Sequence, residues 1–201
     1  MSIQINSCWL CDTYKLNQIL NLPSEDTFIC DSTNFSTSID IAPSKIGHLL
    51  TISKQHLTTI EQLNKMEKNE LFQHLDEVTN IYKDDVISYC HITPNKENKC
   101  LEHLHFHILP TETPPNNIQN FLTSHFTSYL LIEGGNKEDQ LLIFYNGALY
   151  TNKNATGSTL RKKLEVILSA DSRPWKQRVY GDEAKLYELI IKTKQLLKCN
   201  Y

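Results

Sequence analysis

One short segment constrains this chain more than any other, because histidine alternates with large apolar residues over 103–108, in the order His-Leu-His-Phe-His-Ile. Successive side chains of a β-strand point to opposite faces of the sheet. In a strand, His103, His105 and His107 would therefore share one face, each about 6.7 Å from the next by the rise of two residues. The intervening apolar side chains would face the core, and Pro110 would close the strand.

Two interpretations of the alternating histidines compete with a catalytic one. A single buried histidine is usually a satisfied core residue, and a histidine-rich stretch can be a metal-binding patch. Three imidazoles in strict alternation favour a reactive surface instead, because a neutral imidazole is a nucleophile and a proton donor or acceptor near neutral pH. At a phosphorus centre, a ring nitrogen can displace a leaving group to give a phosphoramidate that water then hydrolyses, and neighbouring imidazoles can hydrogen-bond the phosphoryl oxygens. This chemistry needs no organic cofactor.

Charge and composition exclude several other classes of protein. The 201 residues carry 20 basic and 23 acidic side chains, for a net charge of −3, which disfavours a surface for a long nucleic acid. The N-terminus lacks a basic start followed by an apolar stretch, and no apolar run approaches the roughly 20 residues that span a bilayer. We therefore expect a cytoplasmic protein without membrane contact, whose six cysteines are thiols or metal ligands.

Hydrophobic periodicity predicts β-rich segments with helices between them. The predicted strands cover 27–30, 37–41, 46–53, 86–91, 102–109, 129–132 and 141–144, and the predicted helices cover 12–22, 60–82, 118–126, 159–168 and 182–197, with a turn at 146–147. Because regular βαβ alternation is missing, this order predicts an α+β fold with a largely antiparallel sheet and flanking helices. A Pro-Pro-Asn-Asn stretch is the boundary, so that residues 1–112 would form a catalytic domain and residues 113–201 a mixed α/β extension packed on it.

The alternating histidines resemble the motif of the histidine triad (HIT) family of nucleotide hydrolases and transferases. A second block resembles the upstream part of the same fold, with an acidic residue, a proline, a Gly-His pair and a Lys-x-His. It reads Asp40-Ile-Ala-Pro-Ser-Lys-Ile-Gly-His48-Leu-Leu-Thr-Ile-Ser-Lys-Gln-His56. The two blocks occur in the expected order, and the resemblance covers about residues 8–110. It implies a HIT-like fold and, by family analogy, a homodimer.

The resemblance also implies roles for individual residues. His105 would be the nucleophile that attacks the α-phosphate of a small nucleotide substrate. His107 would hydrogen-bond the phosphate or help to protonate the leaving group, and His48 would lie in the same cluster. Asp40 would accept hydrogen bonds from the ribose hydroxyls, and the apolar pocket for the base would involve Phe28, Ile29 and Ile41. Because the transferase branch tends to carry glutamine where His107 stands, the implied activity is nucleotidyl hydrolysis.

A Cys-x-x-Cys knuckle near the N-terminus is half of a common tetrahedral zinc site. Some HIT proteins complete such a site with the histidine of Lys-x-His and the first triad histidine, so the resemblance implies a structural zinc held by Cys8, Cys11, His56 and His103. A pair of ordinary thiols beside Trp9 is the alternative. A redox dithiol is disfavoured, because the thioredoxin-like strand and helix around it are not evident.

Two departures from the family leave other functions open. The segment before the triad lacks the glycine and glutamine with which many HIT hydrolases position phosphate, and Thr93, Asn95 or Lys99 could replace those donors. The C-terminal 90 residues do not match the minimal domain, although the start of the helix near Gly157 and the guanidinium of Arg161 could bind an anion, with solvated basic faces as the alternative. The alternative functions are a nucleotidyltransferase or phosphorylase, a zinc-stabilised nucleotide-binding module without turnover, and a metal-dependent hydrolase with metal at His105.

Overall fold

The computed structural model describes residues 8–12, 28–82, 85–92, 103–129, 139–153, 155–173, 177–178, 181 and 183–198. Within these ranges, no helix is both long enough and apolar enough to cross a membrane. The helix predicted for 12–22 lies almost entirely outside the described residues. Residues 93–102, which include the phosphate-binding donors predicted before the triad, also lie outside the described residues. The same is true of most of the strand predicted for 129–132.

The described strands form one eight-stranded sheet in which every neighbouring pair is antiparallel. In chain order the strands are β1 (Phe28–Asp31), β2 (Phe35–Ile39), β3 (Leu49–Ser53), β4 (Val86–Ile92), β5 (His105–Pro110), β6 (Phe126–Ser128), β7 (Gln140–Tyr145) and β8 (Ala148–Asn152). Their order across the sheet is β1-β2-β3-β5-β4-β7-β8-β6. The predicted α+β class with an antiparallel sheet is confirmed.

Among the described residues, the helices that pack on this sheet include α1 (Lys65–Thr79), α2 (Pro115–His125), α3 (Gly157–Ile167) and α4 (Glu183–Lys198). Helix α1 is shorter than the helix predicted for 60–82, because Asn64 caps it by accepting hydrogen bonds from the N–H groups of Met66 and Glu67. The residues before this cap form a separate 3₁₀ turn, Ile60–Gln62.

The two faces of the sheet bury different helices. Side chains of β2, β3, β4 and β5 on one face, such as Phe35 and Phe106, pack with α1 and α4 in the larger core. On the other face, Tyr89 and Leu109 belong to a second core with α2 and α3. Leu10 of the N-terminal 3₁₀ turn covers Leu50 and Ile52 on β3 in a third, smaller cluster.

Two strands begin later than predicted. Strand β3 begins at Leu49 rather than at residue 46, because residues 46 and 47 form a turn in which Gly47 has a φ of +82°. Strand β5 begins at His105, so the prediction that His103 belongs to the same strand is wrong. The backbone at Leu104 bonds to Ser53 and Leu57 instead, and the ring of His103 turns toward the N-terminal cysteines.

The C-terminal half extends the sheet of the N-terminal half. Strand β7 pairs with β4 over five residues, from Ser88 opposite Phe144 to Ile92 opposite Gln140. The predicted turn at Asn146 and Gly147 is confirmed, and it joins β7 to β8, a strand that the sequence analysis missed. Residues 113–201 thus contribute strands to the shared sheet, and the domain boundary at 112 stays a prediction.

Gly47 occupies a position that only glycine fits well. Its positive φ disfavours any side chain, and a Cβ at this residue would lie 2.7 Å from Cγ of Pro110 and 3.2 Å from Cδ2 of Leu196 on α4. Gly147 has a similar φ of +73°, but nothing lies within 4 Å of a Cβ built there. A substitution at Gly147 therefore tests backbone strain alone, whereas a substitution at Gly47 tests strain together with steric overlap.

We expect Gly147→Ala to lower the free energy of unfolding by about 1 kcal/mol through strain alone. Gly47→Ala should cost about 3 kcal/mol, because overpacking against Pro110 and Leu196 is added to the strain. Urea unfolding of both variants measures the difference. Equal losses for the two variants would show that Gly47 is not closely packed.

Candidate active site

The strand register places two of the three histidines on one face of the sheet. His107 lies opposite Leu50 of β3 and opposite Tyr89 of β4, and His105 lies opposite Ile52 of β3. Directly opposed residues of antiparallel strands point to the same face. The rings of His105 and His107 are 5.0 Å apart and nearly perpendicular. The alternation in the sequence thus brings these two side chains together, as predicted.

One hydrogen bond fixes the tautomer of His105. Its Nδ1 lies 2.5 Å from the carbonyl oxygen of His103, and a carbonyl can only accept, so Nδ1 carries the proton. In the neutral ring, Nε2 then holds a lone pair. The residue as a whole is buried, with 3% of its surface exposed.

His107, His48 and Asp40 form a compact cluster beside His105. Nε2 of His48 lies 3.0 Å from Nδ1 of His107 and 3.2 Å from Oδ2 of Asp40, and Nδ1 of His107 lies 3.4 Å from the same carboxylate oxygen. The other oxygen, Oδ1 of Asp40, accepts the backbone N–H of Ala42 at 2.7 Å. The structure therefore brings His48 into the cluster predicted for it, and it adds Asp40 as a direct neighbour of both rings.

Ser44 decides which nitrogen of His48 carries the proton. The backbone N–H of Ser44 donates to Nδ1 of His48 at 3.0 Å, so that nitrogen presents its lone pair. The proton of the neutral ring is then on Nε2, which points at His107 and Asp40. These three groups are close enough together to hold a metal ion. A cation there would have to displace the Nε2 proton, so the geometry favours a hydrogen-bonded cluster.

Burial governs the charges in this cluster. Burial lowers the pKa of His48 to about 4, with a partly compensating effect of Asp40. Burial also holds the pKa of His107 well below its usual value, although the neighbouring carboxylate of Asp40 opposes this shift. For Asp40, burial alone would raise the pKa, but the neighbouring His48 and His107 keep it below the ordinary range. The carboxylate is therefore ionised and the imidazoles are neutral at neutral pH.

The four predicted metal ligands lie in a second cluster, next to the active-site strand. Sγ of Cys8 is 3.4 Å and Sγ of Cys11 is 3.5 Å from Nδ1 of His103, and Sγ of Cys11 is 3.0 Å from Nδ1 of His56. Their ligand atoms all lie within 4.8 Å of one another, so the group can hold a metal ion. Neither this cluster nor the one around Asp40 includes His105.

The donor set of this second cluster suits a tetrahedral metal. Zinc–sulfur and zinc–nitrogen bonds of about 2.3 Å and 2.1 Å place neighbouring ligand atoms roughly 3.5 Å apart. Nε2 of His103 donates to the carbonyl oxygen of Ser53 at 2.6 Å, which leaves the lone pair of Nδ1 for the metal. Burial lowers the pKa of His103, in part offset by this bond, and so keeps the ring in the neutral form that metals bind.

The residues predicted for the base pocket lie apart from the histidines. Phe28 on β1 is 49% exposed. It lies opposite Ser38 of β2, which lies opposite Leu50 of β3, and Leu50 in turn lies opposite His107. The side chain of Phe28 is therefore on the same face of the sheet as His107, three strand spacings or about 14 Å away. Ile41, next to Asp40, is partly buried against the larger core, as is Ile29. An exposed aromatic ring, that of Phe28, thus lies on the face of the sheet that carries His105 and His107.

Sequence reasoning missed Tyr89 as a neighbour of the triad. Its ring lies 4.9 Å from that of His107, and its hydroxyl donates to Oε1 of Glu165 on α3 at 3.4 Å. Arg161 donates from Nε to the same oxygen at 2.8 Å. The four-residue spacing of Arg161 and Glu165 was a readable signal for their ion pair, but nothing in the sequence linked it to Tyr89.

One family model and several solved structures are similar to part of this chain. Residues 22–113 match the model of the HIT domain. Similar solved structures include a HIT family member from Bacillus subtilis, with 16% identity over 59% of this chain and 94% of that chain and a TM-score of 0.41. A HIT family hydrolase from Clostridium thermocellum shows 22% identity over 56% and 97% of the two chains, with a TM-score of 0.38. A hypothetical protein from Leishmania major shows 21% identity over 54% and 76%, with a TM-score of 0.40. A search of curated proteins finds no match.

We expect the ring of His48 to stay neutral, with its proton on Nε2, when the pH of the folded protein is lowered from 8 to 5.5. Its folded pKa of about 4 lies below the ordinary value of about 6.5 in an unfolded chain. The neutral ring therefore contributes stability that is present above about pH 6.5 and is lost as the pH falls toward 4.

Nitrogen NMR of the imidazole checks this expectation, with the urea-unfolded chain as the reference that titrates normally. A midpoint near 6.5 in the folded protein would contradict the burial and the hydrogen bonding assigned to His48.

Proposed function

We propose that the protein is a nucleotidyl hydrolase, since residues 22–113 match the model of the HIT domain. Its substrate would be a nucleoside phosphate ester, anhydride or phosphoramidate, cleaved through a covalent nucleotidyl intermediate on His105. The observation that carries the proposal is the hydrogen bond from Nδ1 of His105 to the carbonyl oxygen of His103, since it leaves a lone pair on Nε2. A neutral, oriented imidazole with an available lone pair is what nucleophilic catalysis requires.

In the first step, Nε2 of His105 forms a bond to the α-phosphorus while the bond from phosphorus to the leaving group breaks. The Nδ1 proton stays on the ring, where the carbonyl of His103 stabilises the positive charge that develops. The Nε2–H of His107 donates a hydrogen bond to the departing atom, which takes its proton from water. In the second step, water attacks the same phosphorus, the P–N bond breaks and its electron pair returns to Nε2. The attacking water releases a proton to the solvent, which replaces the proton that the leaving group took up.

The geometry around His107 supports its role as a hydrogen-bond donor to the leaving group. The shortest contact of Nδ1 is with the Nε2–H of His48, at 3.0 Å, so Nδ1 accepts and the proton of neutral His107 is on Nε2. The ionised Asp40 at 3.4 Å stabilises the ring whenever it gains positive charge. His48 and Asp40 would therefore act on the reaction through His107.

For substrate binding, we propose that the base stacks on Phe28, with Ile41 as a second apolar residue of the pocket. Asp40 is the proposed acceptor for a ribose hydroxyl. Its two carboxylate oxygens offer about four lone-pair sites. A ribose hydroxyl can therefore donate to Asp40 in addition to the backbone N–H of Ala42 and the ring Nε2–H of His48.

We propose that the cluster of Cys8, Cys11, His56 and His103 holds a structural zinc ion. All four coordination positions would be filled by the protein, so the ion would fix the N-terminal turn to the backbone before β5 and take no part in the reaction. His103 would thereby bind metal through its ring while its carbonyl oxygen orients His105. The predicted homodimer and cytoplasmic location stay predictions.

We expect His105→Asn to lower kcat at least about 10³-fold, because the variant lacks the nucleophile. His125→Asn, the same change on α2, should leave kcat within about twofold. A panel of dinucleotides and nucleoside phosphoramidates provides the substrates, and a rapid alkaline quench, which preserves the P–N bond, followed by mass spectrometry detects the nucleotidyl adduct on His105. Full activity of His105→Asn would overturn the mechanism.

Product analysis separates hydrolysis from transfer. In ¹⁸O-labelled water we expect one labelled oxygen in the nucleoside monophosphate product, because water attacks the intermediate. Addition of inorganic phosphate should not yield a nucleoside diphosphate. Formation of the diphosphate as the main product would identify a phosphorylase instead.

We expect about one zinc ion per chain by elemental analysis, lost in Cys11→Ser and His56→Asn because each removes a ligand. Cys30→Ser changes a thiol outside the cluster and should keep the metal. His105→Asn should also keep it, whereas metal loss in that variant would support the metal-dependent alternative.

A further inference from the structure

The loop between β2 and β3 carries two members of the active-site cluster, Asp40 at its start and His48 at its end. We refer to residues 40–48 as the Asp40–His48 loop. The N–H of Asp40 donates to the carbonyl oxygen of His48 at 3.1 Å and closes the base of the loop. Between these two residues, the loop has no regular secondary structure that would hold its shape. Its conformation therefore depends on contacts with the rest of the protein.

Four hydrogen bonds join this loop to the C-terminal half of the chain. Nε of Arg178 donates to the carbonyl oxygen of Ala42 at 2.8 Å, and the N–H of Asp171 donates to that of Ser44 at 3.0 Å. The side chain of Lys45 donates from Nζ to the carbonyl oxygen of Leu168 at 3.0 Å. The backbone N–H of Gly47 donates to the hydroxyl oxygen Oγ1 of Thr193 at 2.8 Å. Residues separated by more than 120 positions in sequence thus hold most of the loop.

Two of these contacts are buried, which makes them costly to lose. Thr193 is fully buried, and its hydroxyl accepts from Gly47 while it donates to the carbonyl oxygen of Leu189 one turn earlier on α4. Arg178 is also buried, and its NH1 group donates to the carbonyl oxygens of Asp171 and Arg173. Removal of either side chain would leave buried backbone groups of the loop without partners.

The contact at Ser44 leads directly to the chemistry. The N–H of Asp171 bonds the carbonyl oxygen of Ser44, and the N–H of Ser44 bonds Nδ1 of His48. The hydrogen bond to Nδ1 keeps the His48 proton on Nε2, which faces His107 and Asp40. A shift of the loop would thus change both the position and the tautomer of His48.

We propose that the C-terminal half is a positioning part of the active site, which fixes the tautomer of His48 by holding the Asp40–His48 loop through Thr193 and Arg178. The effect on catalysis rests on the proposed function, whereas the effect on His48 does not. Thr193 and Arg178 act through the loop and are positioning residues. Residues 113–201, which lie outside the histidine motif, would thereby position a residue of the active site.

The test compares Thr193→Val, which removes the hydroxyl and keeps the shape, with Thr193→Ser, which restores the hydroxyl. Thr123→Val is the matched control, because its hydroxyl also donates to the carbonyl oxygen one turn earlier, on α2, without touching the loop. Imidazole NMR reports the tautomer of His48, and hydrogen–deuterium exchange reports the Gly47 amide. We expect Thr193→Val to populate the Nδ1–H tautomer and to speed the exchange of Gly47 at least tenfold, with both properties normal in Thr193→Ser and Thr123→Val.

On the nucleotide substrate, Thr193→Val should lower kcat about tenfold and change KM less than twofold, because misplacement of a catalytic group acts on the chemical step. Arg178→Lys, which keeps the charge but loses the planar fork, should give the same NMR and kinetic changes and replaces Thr193→Val if that variant does not fold.

Wild-type NMR spectra in both Thr193→Val and Arg178→Lys would overturn the proposal, as would equal changes in Thr123→Val. Altered His48 spectra in a protein that cleaves none of the nucleotides would support the positioning role and refute the proposed function. The two claims are therefore separable.

Discussion

The hydrogen bond between Nδ1 of His105 and the carbonyl oxygen of His103 is the interaction on which the candidate site depends. A histidine in a buried environment is neutral, and a neutral imidazole can place its one proton on either nitrogen. The carbonyl removes that freedom, so the lone pair is always on the nitrogen that would attack phosphorus. The acceptor belongs to a residue outside β5, and this explains why the first histidine of the motif need not lie in the strand.

His103 also connects the site to the N-terminus. Its ring faces Cys8 and Cys11, and its Nε2 donates to Ser53 at the end of β3. The backbone that orients His105 is therefore attached both to the sheet and to the cysteine knuckle. A metal ion in the knuckle would stabilise this backbone without approaching the reacting atoms, since the ring and the carbonyl of His103 point to different partners.

The second feature of the site is a set of hydrogen bonds with defined directions. Ser44 donates to His48, His48 donates to His107, and the charge of Asp40 lies beside both rings. Each donor determines where the next proton is held, so the geometry of one loop controls the protonation of the cluster. The C-terminal half holds that loop at four places, and it also supplies Glu165, which bonds the Tyr89 hydroxyl beside His107. Both halves of the chain thus contribute to the surroundings of the same two histidines.

The sequence by itself determined the class of the fold and indicated which side chains are candidates for the active site. Period-two alternation dictates that His105 and His107 share a face, and Gly-His and Cys-x-x-Cys are local patterns that need no knowledge of distant residues. The sequence predicted that this strand begins at residue 102, whereas β5 begins at His105, because the ends of strands depend on which partners their backbone groups find. The tertiary structure alone decided the proton positions, the closeness of Asp40 to both rings, the neighbour Tyr89 and the attachment of the loop to Arg178 and Thr193. Such contacts join residues far apart in the chain, and no local periodicity specifies which buried donor meets which acceptor.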